Sequence, residues 1–319
     1  MRKIFLAVLA LLCLLTACSK TEEPQDAPRE NVGQITYVGV CIAGDENPAY
    51  RQPLEKALLR MGYYVNFVAA TEDQSLQNTQ IDQFIAEQYD ILIVEPVMVS
   101  AVDVILQKMQ TAQTPVVLLG EQPDAAVLSL WSQSSFVGFE YKSAALLQGQ
   151  IVRNVPNSGD VNGDGQVAYA ILTGPEDHAQ TPVHTENCIA ALTESGVDLQ
   201  LLDNACGEDS QESGKALTEK LLSQFGRDIE VLFCASDRMA LGALEALNKS
   251  GRTVNQDVYL VGIGGDEQIL SMVSQGTLTG TAMADPSALA SQAAEATAAL
   301  LNNNAQQVYL LEYTLKETP

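Results

Sequence analysis

The residues "ITYVGVCI" (35–42) and "PAYRQPLEKALLRMG" (48–62) decide the fold. The first run is short and almost continuously apolar, which is typical of a strand buried on both faces of a parallel sheet. In the second run Leu54 and Leu58 share one helical face, and Gly62 can end the helix. A buried strand followed by an amphipathic helix is the repeating unit of an α/β fold.

The same alternation continues along the chain. Strand-like runs of this character are "YYVNFVAA", "YDILIVEP", "TPVVLLG", "SSFVGF", "QVAYAILTG", "IEVLFCAS", "VYLVGIGG" and "LTGTAMAD". Helical patterns lie between them, which predicts doubly wound parallel sheets covered on both faces. Ligands of such sheets bind beyond the carboxyl ends of the strands. The segments at those ends are 43–50, 95–97, 120–123, 174–184, 234–238, 264–267 and 284–286.

The N-terminal residues have the pattern of a secretory signal. Arg2 and Lys3 precede an apolar run that ends in "LTAC" at Cys18. This ending resembles a bacterial lipobox, which implies cleavage after residues 1–17 and lipidation of Cys18; the alternative is an ordinary signal peptide with a chance cysteine. The polar residues 18–33 are predicted to be a tether between the lipid and the folded body.

The chain is strongly acidic. Its formal charge is −23, and removal of residues 1–17 takes away two positive charges and no acids, which leaves −25. This charge argues against nucleic acid as a partner and against binding of anionic lipid by charge. Contact with a membrane is therefore expected through the lipid anchor only.

The cysteines of the mature chain do not have metal-type spacing. Cys41 and Cys234 lie inside strand-like runs and are predicted to be core thiols. A disulfide between Cys188 and Cys206 is possible in an oxidising compartment, and the sequence leaves it open.

Five stretches together carry a family resemblance. They are "DQSLQNTQIDQFI" (73–85), "TPVVLLG" (114–120), "DVNGDGQVAYAILTGPEDH" (160–178), "ASDRMALGALEAL" (235–247) and "GTLTGTAMAD" (276–285). In order and spacing the chain resembles the galactose/glucose-binding proteins of the periplasmic type I sugar-binding family. The resemblance covers about residues 34–316.

This resemblance implies two α/β lobes joined by a three-strand hinge. Carried onto this chain, the first lobe comprises residues 34–138 and 286–305, and the second comprises residues 139–285 and 306–319. The implied function is an extracytoplasmic substrate-binding lipoprotein in the cell envelope, which captures a small polar solute, a monosaccharide or sugar-like molecule, for an ABC permease. A monomer is expected.

Residues 158–167, "SGDVNGDGQV", look like the opening of a calcium loop. The candidate ligands are Asp160, Asn162, Asp164 and Gln166, the last through its backbone carbonyl. Ala168 and Ile171 stand at positions nine and twelve of the loop, so a complete helix-loop-helix site is excluded. A dockerin repeat is disfavoured because a strand follows and no second copy exists. The resemblance implies a structural Ca²⁺ whose last ligand is a distant acid, matched to Asp198; the alternative is an empty Asx-rich turn.

The predicted ligand-binding residues depart from the family pattern. They are Asp45, Tyr50, Glu121, His178, Gln180, His184, Ser236, Asp237, Asp266 and Asp285. Gly120 and Glu121 replace an Asn-Lys pair, and Gly264 stands where the family has an acid. Two explanations stay open: a changed ligand, or a pocket that has decayed or been reshaped for a larger molecule.

Several of these positions also have plain structural interpretations. Asp237 and Asp285 can be helix N-caps, and His178 can lie in a surface loop. Tyr50 can replace a stacking phenylalanine. Trp131 is predicted to be a rim or packing residue.

Other functional classes fit less well. The two histidines are six residues apart and form no Ser-His-Asp, Cys-His or metal-hydrolase pattern, so an enzyme is not expected. A ligand-sensing receptor of the same fold, which feeds a chemoreceptor or sensor kinase, is the first rival, and a calcium-dependent scaffold module is the second. The secretory start excludes a transcription repressor.

Overall fold

The computed structural model describes residues 35–45, 48–176 and 180–318. The strands are β1 (Tyr37–Ile42), β2 (Tyr64–Ala69), β3 (Ile91–Val94), β4 (Val116–Leu119), β5 (Ser134–Phe139), β6 (Gln166–Thr173), β7 (Asp198–Cys206), β8 (Val231–Cys234), β9 (Tyr259–Gly264), β10 (Gly280–Met283), β11 (Val308–Leu311) and β12 (Thr314–Glu317). The helices are α1 (Arg51–Arg60), α2 (Gln74–Ala86), α3 (Val102–Ala112), α4 (Ala125–Leu128), α5 (Tyr141–Asn154), α6 (Gln180–Asn187), α7 (Ala190–Ser195), α8 (Gln211–Phe225), α9 (Asp237–Lys249), α10 (Glu267–Ser274) and α11 (Pro286–Leu301).

The strands form two six-stranded sheets within one compact unit, Thr36–Pro319. The first sheet has the order β11-β5-β4-β3-β1-β2, and all its pairs are parallel. The second has the order β12-β10-β9-β8-β6-β7, and only its edge strand β12 is antiparallel to its neighbour. These two sheets confirm the predicted doubly wound α/β fold.

Each sheet is buried on both faces, which explains why its central strands are continuously apolar. In β3, Ile91 and Ile93 pack into one apolar cluster, while Leu92 and Val94 pack into the cluster on the opposite face. The second sheet repeats this arrangement in β8. Alternate side chains therefore belong to different cores.

Helix α11 follows β10 of the second sheet but packs against the first. Its alanine-rich face lets it approach α1 and the sheet closely, and Ala290, Ala293 and Ala294 are buried there with Leu54 and Val38. The helix therefore belongs to the core of the first sheet.

The chain passes between the two sheets three times, after β5, after β10 and after β11. At the crossings the Glu140 N–H donates to the Leu311 carbonyl at 2.8 Å, and the rings of Phe139 and Tyr313 lie 5.0 Å apart. The predicted lobe boundary at 305/306 differs from this division, because β11 pairs with β5 in the first sheet and only β12 joins the second. The last crossing is thus at residues 312–313.

The two strand thiols and the single tryptophan are packing residues. Cys41 and Cys234 are buried core thiols, as predicted. Cys188 and Cys206 are free thiols as well, so the possible disulfide is not formed. Trp131 is 6% exposed and its Nε1 donates to the Thr114 carbonyl at 3.0 Å, which identifies it as a packing residue rather than a rim residue.

No helix in the described ranges has both the length and the apolarity needed to cross a bilayer. The predicted signal segment and Cys18 lie outside the described residues.

Candidate functional site

The carboxyl edge of the first sheet is organised around Glu95, which follows β3. Glu95 Oε2 accepts a hydrogen bond from the Tyr50 hydroxyl at 2.7 Å and another from the Ala43 N–H at 3.1 Å. Burial, followed by the charge of Glu95, raises the pKa of Tyr50. Tyr50 is only 7% exposed, so its ring packs in the core instead of offering a stacking face. This corrects its predicted role: Tyr50 orients a carboxylate.

Gln77, on α2, fixes the backbone of the same edge. It is fully buried; its Nε2 donates to the Glu95 carbonyl at 2.7 Å and its Oε1 accepts the Val97 N–H at 3.1 Å. The sequence pointed to segment 95–97 but singled out neither residue. An acid directly after a buried strand, in "IVEP", is the signal that could have found Glu95.

Asp45 and Glu121 lie at this edge, as the sequence predicted. Asp45 is exposed in the loop after β1, and Glu121 is half-buried after β4. Gly120 precedes it with φ of +94°, a left-handed conformation that favours glycine. Their contact with a ligand stays a prediction.

Asp237 is the central acid at the carboxyl edge of the second sheet. It is 4% exposed; its Oδ1 accepts from the Thr281 hydroxyl at 2.8 Å, and its Oδ2 accepts from the Gly265 N–H. Burial raises the pKa of Asp237 to about 6, against the opposing effect of these hydrogen bonds. The N-cap of α9 is Ser236, whose Oγ accepts the Met239 N–H at 3.1 Å, so the interpretation of Asp237 as an N-cap is wrong.

The glycines of "GIGG" make room for Asp237. A Cβ at Gly262 would stand 2.2 Å from Asp237 Oδ1, and one at Gly264 would stand 2.8 Å from Oδ2. The family pattern has an acid at position 264. In this chain position 264 is a glycine, and the carboxylate beside it comes from Asp237 at the start of α9.

The remaining polar residues of this edge are exposed or serve as caps. The Ser236 hydroxyl donates to Asp209, which also pairs with Arg238. Asp266 caps α10 by accepting the Ile269 N–H at 2.8 Å, and Asp285 caps α11 by accepting the Ser287 N–H at 2.8 Å. Each of these two caps uses one carboxylate oxygen. Asp209, after β7, was missed by the sequence analysis.

Two histidines and Gln180 were predicted to contact the ligand, and their outcomes differ. His178 lies outside the described residues, and Gln180 is half-buried at the start of α6. His184 is fully buried; its Nε2 lies 2.7 Å from Gln148 Oε1, and burial lowers its pKa to about 3. Since Gln148 Nε2 donates to the Cys234 carbonyl, its oxygen accepts from a neutral imidazole. His184 is a core residue, which corrects its predicted role as a ligand contact.

The predicted calcium loop, residues 160–166, is held in a tight turn by hydrogen bonds within the loop. Asp160 Oδ1 accepts the Gly163 N–H at 2.6 Å and Oδ2 accepts the Gly165 N–H at 3.0 Å. Asn162 and Asp164 each accept a backbone N–H two residues on, as in Asx turns. The sharp turn predicted for the loop is therefore present.

A second acid contacts this loop from directly before β8. Glu230 is 2% exposed, and its carboxylate accepts the N–H groups of Val161, Asn162 and Ala168 at 2.8, 2.9 and 2.8 Å. Asp198 is exposed and only pairs across the strands with Gln166. Glu230 is thus a distant acid that the structure brings to the loop and that was not among the predicted residues. The role of Asp198 as a metal ligand stays a prediction.

Hard oxygen donors of this kind suit Ca²⁺. Glu230 takes part in none of the ion pairs formed within the described residues, and a buried carboxylate is stabilised by a cation or by dense hydrogen bonding. Within the same ranges, no three His, Cys, Asp or Glu side chains converge as a metal-type cluster. The three N–H groups at Glu230 supply such dense hydrogen bonding. The oxygen donors of the loop are of the type that Ca²⁺ prefers, and calcium binding stays a prediction.

A cavity of about 420 Å³ lies elsewhere, between α1 and α11. Lys56, Arg60, Ser287 and Ser291 are among its lining residues. It contains none of the predicted ligand-binding residues.

The chain is similar to known binding proteins over most of its length. Residues 38–305 match the periplasmic binding protein domain. The ribose import binding protein of Bacillus subtilis is 27% identical over 314 residues, which cover 96% of each chain. The D-galactose/methyl-galactoside binding periplasmic protein of Haemophilus influenzae is 29% identical over 216 residues, which cover 66% of this chain and 64% of that relative.

Solved structures share the fold at lower identity. A solute-binding protein of Actinobacillus succinogenes with bound D-allose has a TM-score of 0.75 at 20% identity, covering 89% of this chain and 98% of that one. One from Bacillus halodurans with bound myo-inositol has a TM-score of 0.69 at 22% identity, covering 89% and 94%.

Proposed function

Because the chain belongs to the periplasmic binding protein domain family, whose members are solute-binding proteins and not enzymes, we propose that it captures a polyhydroxylated solute between two lobes for an ABC permease. The observation that carries this proposal is the pair of fixed carboxylates, Glu95 and Asp237, one at the carboxyl edge of each parallel sheet. Three chain crossings between the sheets suit a hinge.

Glu95 is the proposed hydroxyl acceptor of the first lobe. The hydrogen bonds from Tyr50 and Ala43 both go to Oε2, and they hold the carboxylate in one orientation. A pre-oriented carboxylate binds a sugar hydroxyl without further loss of side-chain entropy. In the second lobe, Ser236 and Asp209 stand at the exposed rim above the buried Asp237.

A sugar or sugar-like molecule is the proposed solute class. The relatives are named for ribose and galactose, and the similar structures hold D-allose and myo-inositol, all hydroxylated small molecules. The replaced positions at Gly120, Glu121 and Gly264 favour a solute other than glucose or galactose. We therefore propose that this chain keeps the fold of the glucose- and galactose-binding proteins but binds a different solute.

A structural calcium ion is the proposed brace of the second lobe. Asp160, Asn162, Asp164, the Gln166 carbonyl, Asp198 and Glu230 would hold it. The ion would supply positive charge to a loop that carries two aspartates beside a buried glutamate. Its role is to stabilise the fold and not to contact the solute.

The extracytoplasmic location follows from the family, and the lipid anchor is a further proposal. It is supported by the lipobox-like ending at Cys18 and by the polar residues that follow it. Acylated Cys18 would keep the protein at the membrane that holds the permease.

A thermal-shift screen of monosaccharides, polyols and nucleosides, with and without calcium, tests the solute proposal. A true ligand at about 100 times its Kd stabilises by about 2.7 kcal/mol, which corresponds to a rise in Tm of roughly 5 °C or more. Glu95→Gln is expected to remove most of this rise, while the exposed control Glu87→Gln keeps it. If no solute raises the Tm while calcium does, the scaffold interpretation replaces solute capture.

A further inference from the structure

Four large apolar side chains are exposed at the amino edge of the first sheet. They are Tyr37, Leu59, Met61 and Tyr64, which are between 40% and 56% exposed. β1 and β2 are parallel neighbours with Tyr37 opposite Tyr64, and the turn from α1 into β2 brings Met61 to the same edge. We call these four residues the tyrosine patch.

The two tyrosines of the patch are connected to the core by ring contacts. The ring of Tyr37 lies 5.2 Å from that of Tyr64 and 6.0 Å from that of Tyr89, which in turn lies 4.5 Å from the buried Phe84. Exposed apolar side chains that are scattered need no explanation, whereas apolar side chains grouped at one edge mark an interaction surface. The patch therefore has the character of a binding face.

We propose that the tyrosine patch rests on the surface of the bilayer that holds the lipidated Cys18, an inference that depends on the proposed anchor. The predicted tether leads directly into β1, whose first residue is Tyr37 of the patch. Residues 19–34 span at most about 60 Å when fully extended, so the anchor keeps this edge within reach of the membrane.

The chemistry of the patch suits a lipid interface. Tyrosine has an apolar ring and a polar hydroxyl, and it is enriched at the level of lipid headgroups. Arg60, exposed between Leu59 and Met61, can extend its guanidinium to lipid phosphates. Since the body is strongly acidic, the contact relies on apolar area and not on net charge. In this resting orientation the solute-binding edge of the first lobe points away from the bilayer.

Two methionines give a matched test. Met61 belongs to the patch and is 40% exposed, while Met98 is 50% exposed beyond β3, at the opposite edge of the same sheet. The mature full chain is anchored in phosphatidylcholine vesicles, and methionine oxidation is followed by peptide mass spectrometry. Anchoring is expected to slow Met61 oxidation at least threefold relative to Met98. An unchanged ratio of the two rates would overturn the inference.

Variants and controls separate the outcomes. Tyr37→Ser with Tyr64→Ser is expected to return Met61 to nearly its solution rate, while Leu201→Ser, at an exposed apolar residue of the second sheet, leaves the protection intact. Protection of Met61 in the vesicle-free Cys18→Ser chain that grows with protein concentration would show that a second copy covers the patch, against the proposal. An unacylated Cys18 would overturn both the anchor and this inference, whereas an acylated chain with unprotected Met61 would overturn the inference alone.

Discussion

Replacing Asp237 by Asn is expected to stabilise the solute-free protein at neutral pH and to remove part of its pH dependence. Burial raises the pKa of this carboxyl from an ordinary value of 3.8 to about 6, a change worth about 3 kcal/mol. The folded state then holds its proton more tightly than the unfolded state. The stability contributed by the protonated acid is complete below pH 4 and is lost as the pH rises through 6.

Asn is nearly isosteric and can keep both contacts. Its oxygen can accept the Gly265 N–H, and its amide can donate to the Thr281 hydroxyl. We expect Asp237→Asn to be about 1 to 3 kcal/mol more stable than the wild type at pH 7.5. The gap between the two proteins should widen by about 2 kcal/mol between pH 4.5 and pH 7.5.

Urea unfolding at a series of pH values measures this gap directly. Asp228→Asn is the matched control, because Asp228 is exposed. The free energy of unfolding of this variant should follow that of the wild type at every pH. A gap that stays constant or narrows with rising pH would refute the assignment of Asp237 as the acid whose ionisation is penalised by burial.

Three further variants test other contacts. Glu230→Gln is expected to abolish a calcium-dependent rise in Tm, because it removes the buried charge beside the loop; a rise of unchanged size would exclude this ligand. Gly262→Ala should cost about 1–3 kcal/mol in urea unfolding, since its Cβ would meet Asp237 Oδ1 at 2.2 Å, and an unaltered urea midpoint would count against that crowding. Tyr50→Phe is expected to weaken the identified solute about tenfold, or about 1.4 kcal/mol in calorimetry, because Glu95 loses its 2.7 Å donor; unchanged affinity would mean that Glu95 does not bind the solute.

The architecture was predictable because the hydrophobic pattern of the sequence distinguishes buried strands from amphipathic helices. Buried parallel strands such as "ILIV" (91–94) and "VVLL" (116–119) are continuously apolar, and the turn chemistry of the Asp160 loop is local. The last chain crossing was predicted at 305/306 and lies at 312–313. The strands β11 and β12 are short and follow each other closely along the chain, and only their pairing partners show that they belong to different sheets.

The site was less predictable because it depends on contacts between distant segments. His184 occupies a position of the family pattern, yet its burial against Gln148 is decided by how α5 and α6 pack. Glu230 lies far along the chain from the Asp160 loop and is joined to it only through the alignment of β6 with β8. No local pattern distinguishes it from Asp198, whose strand also neighbours β6.

The packing of α11 and β11 in the first lobe's core and sheet bears on the order in which the two cores can form. The first core is completed by Ala290–Ala294 and by the strand that ends at Leu311, so it cannot close before these residues have been made. Contacts of such wide sequence separation form slowly. The first core of a chain of this design therefore forms late, after the segments of the second sheet that precede α11 have been made.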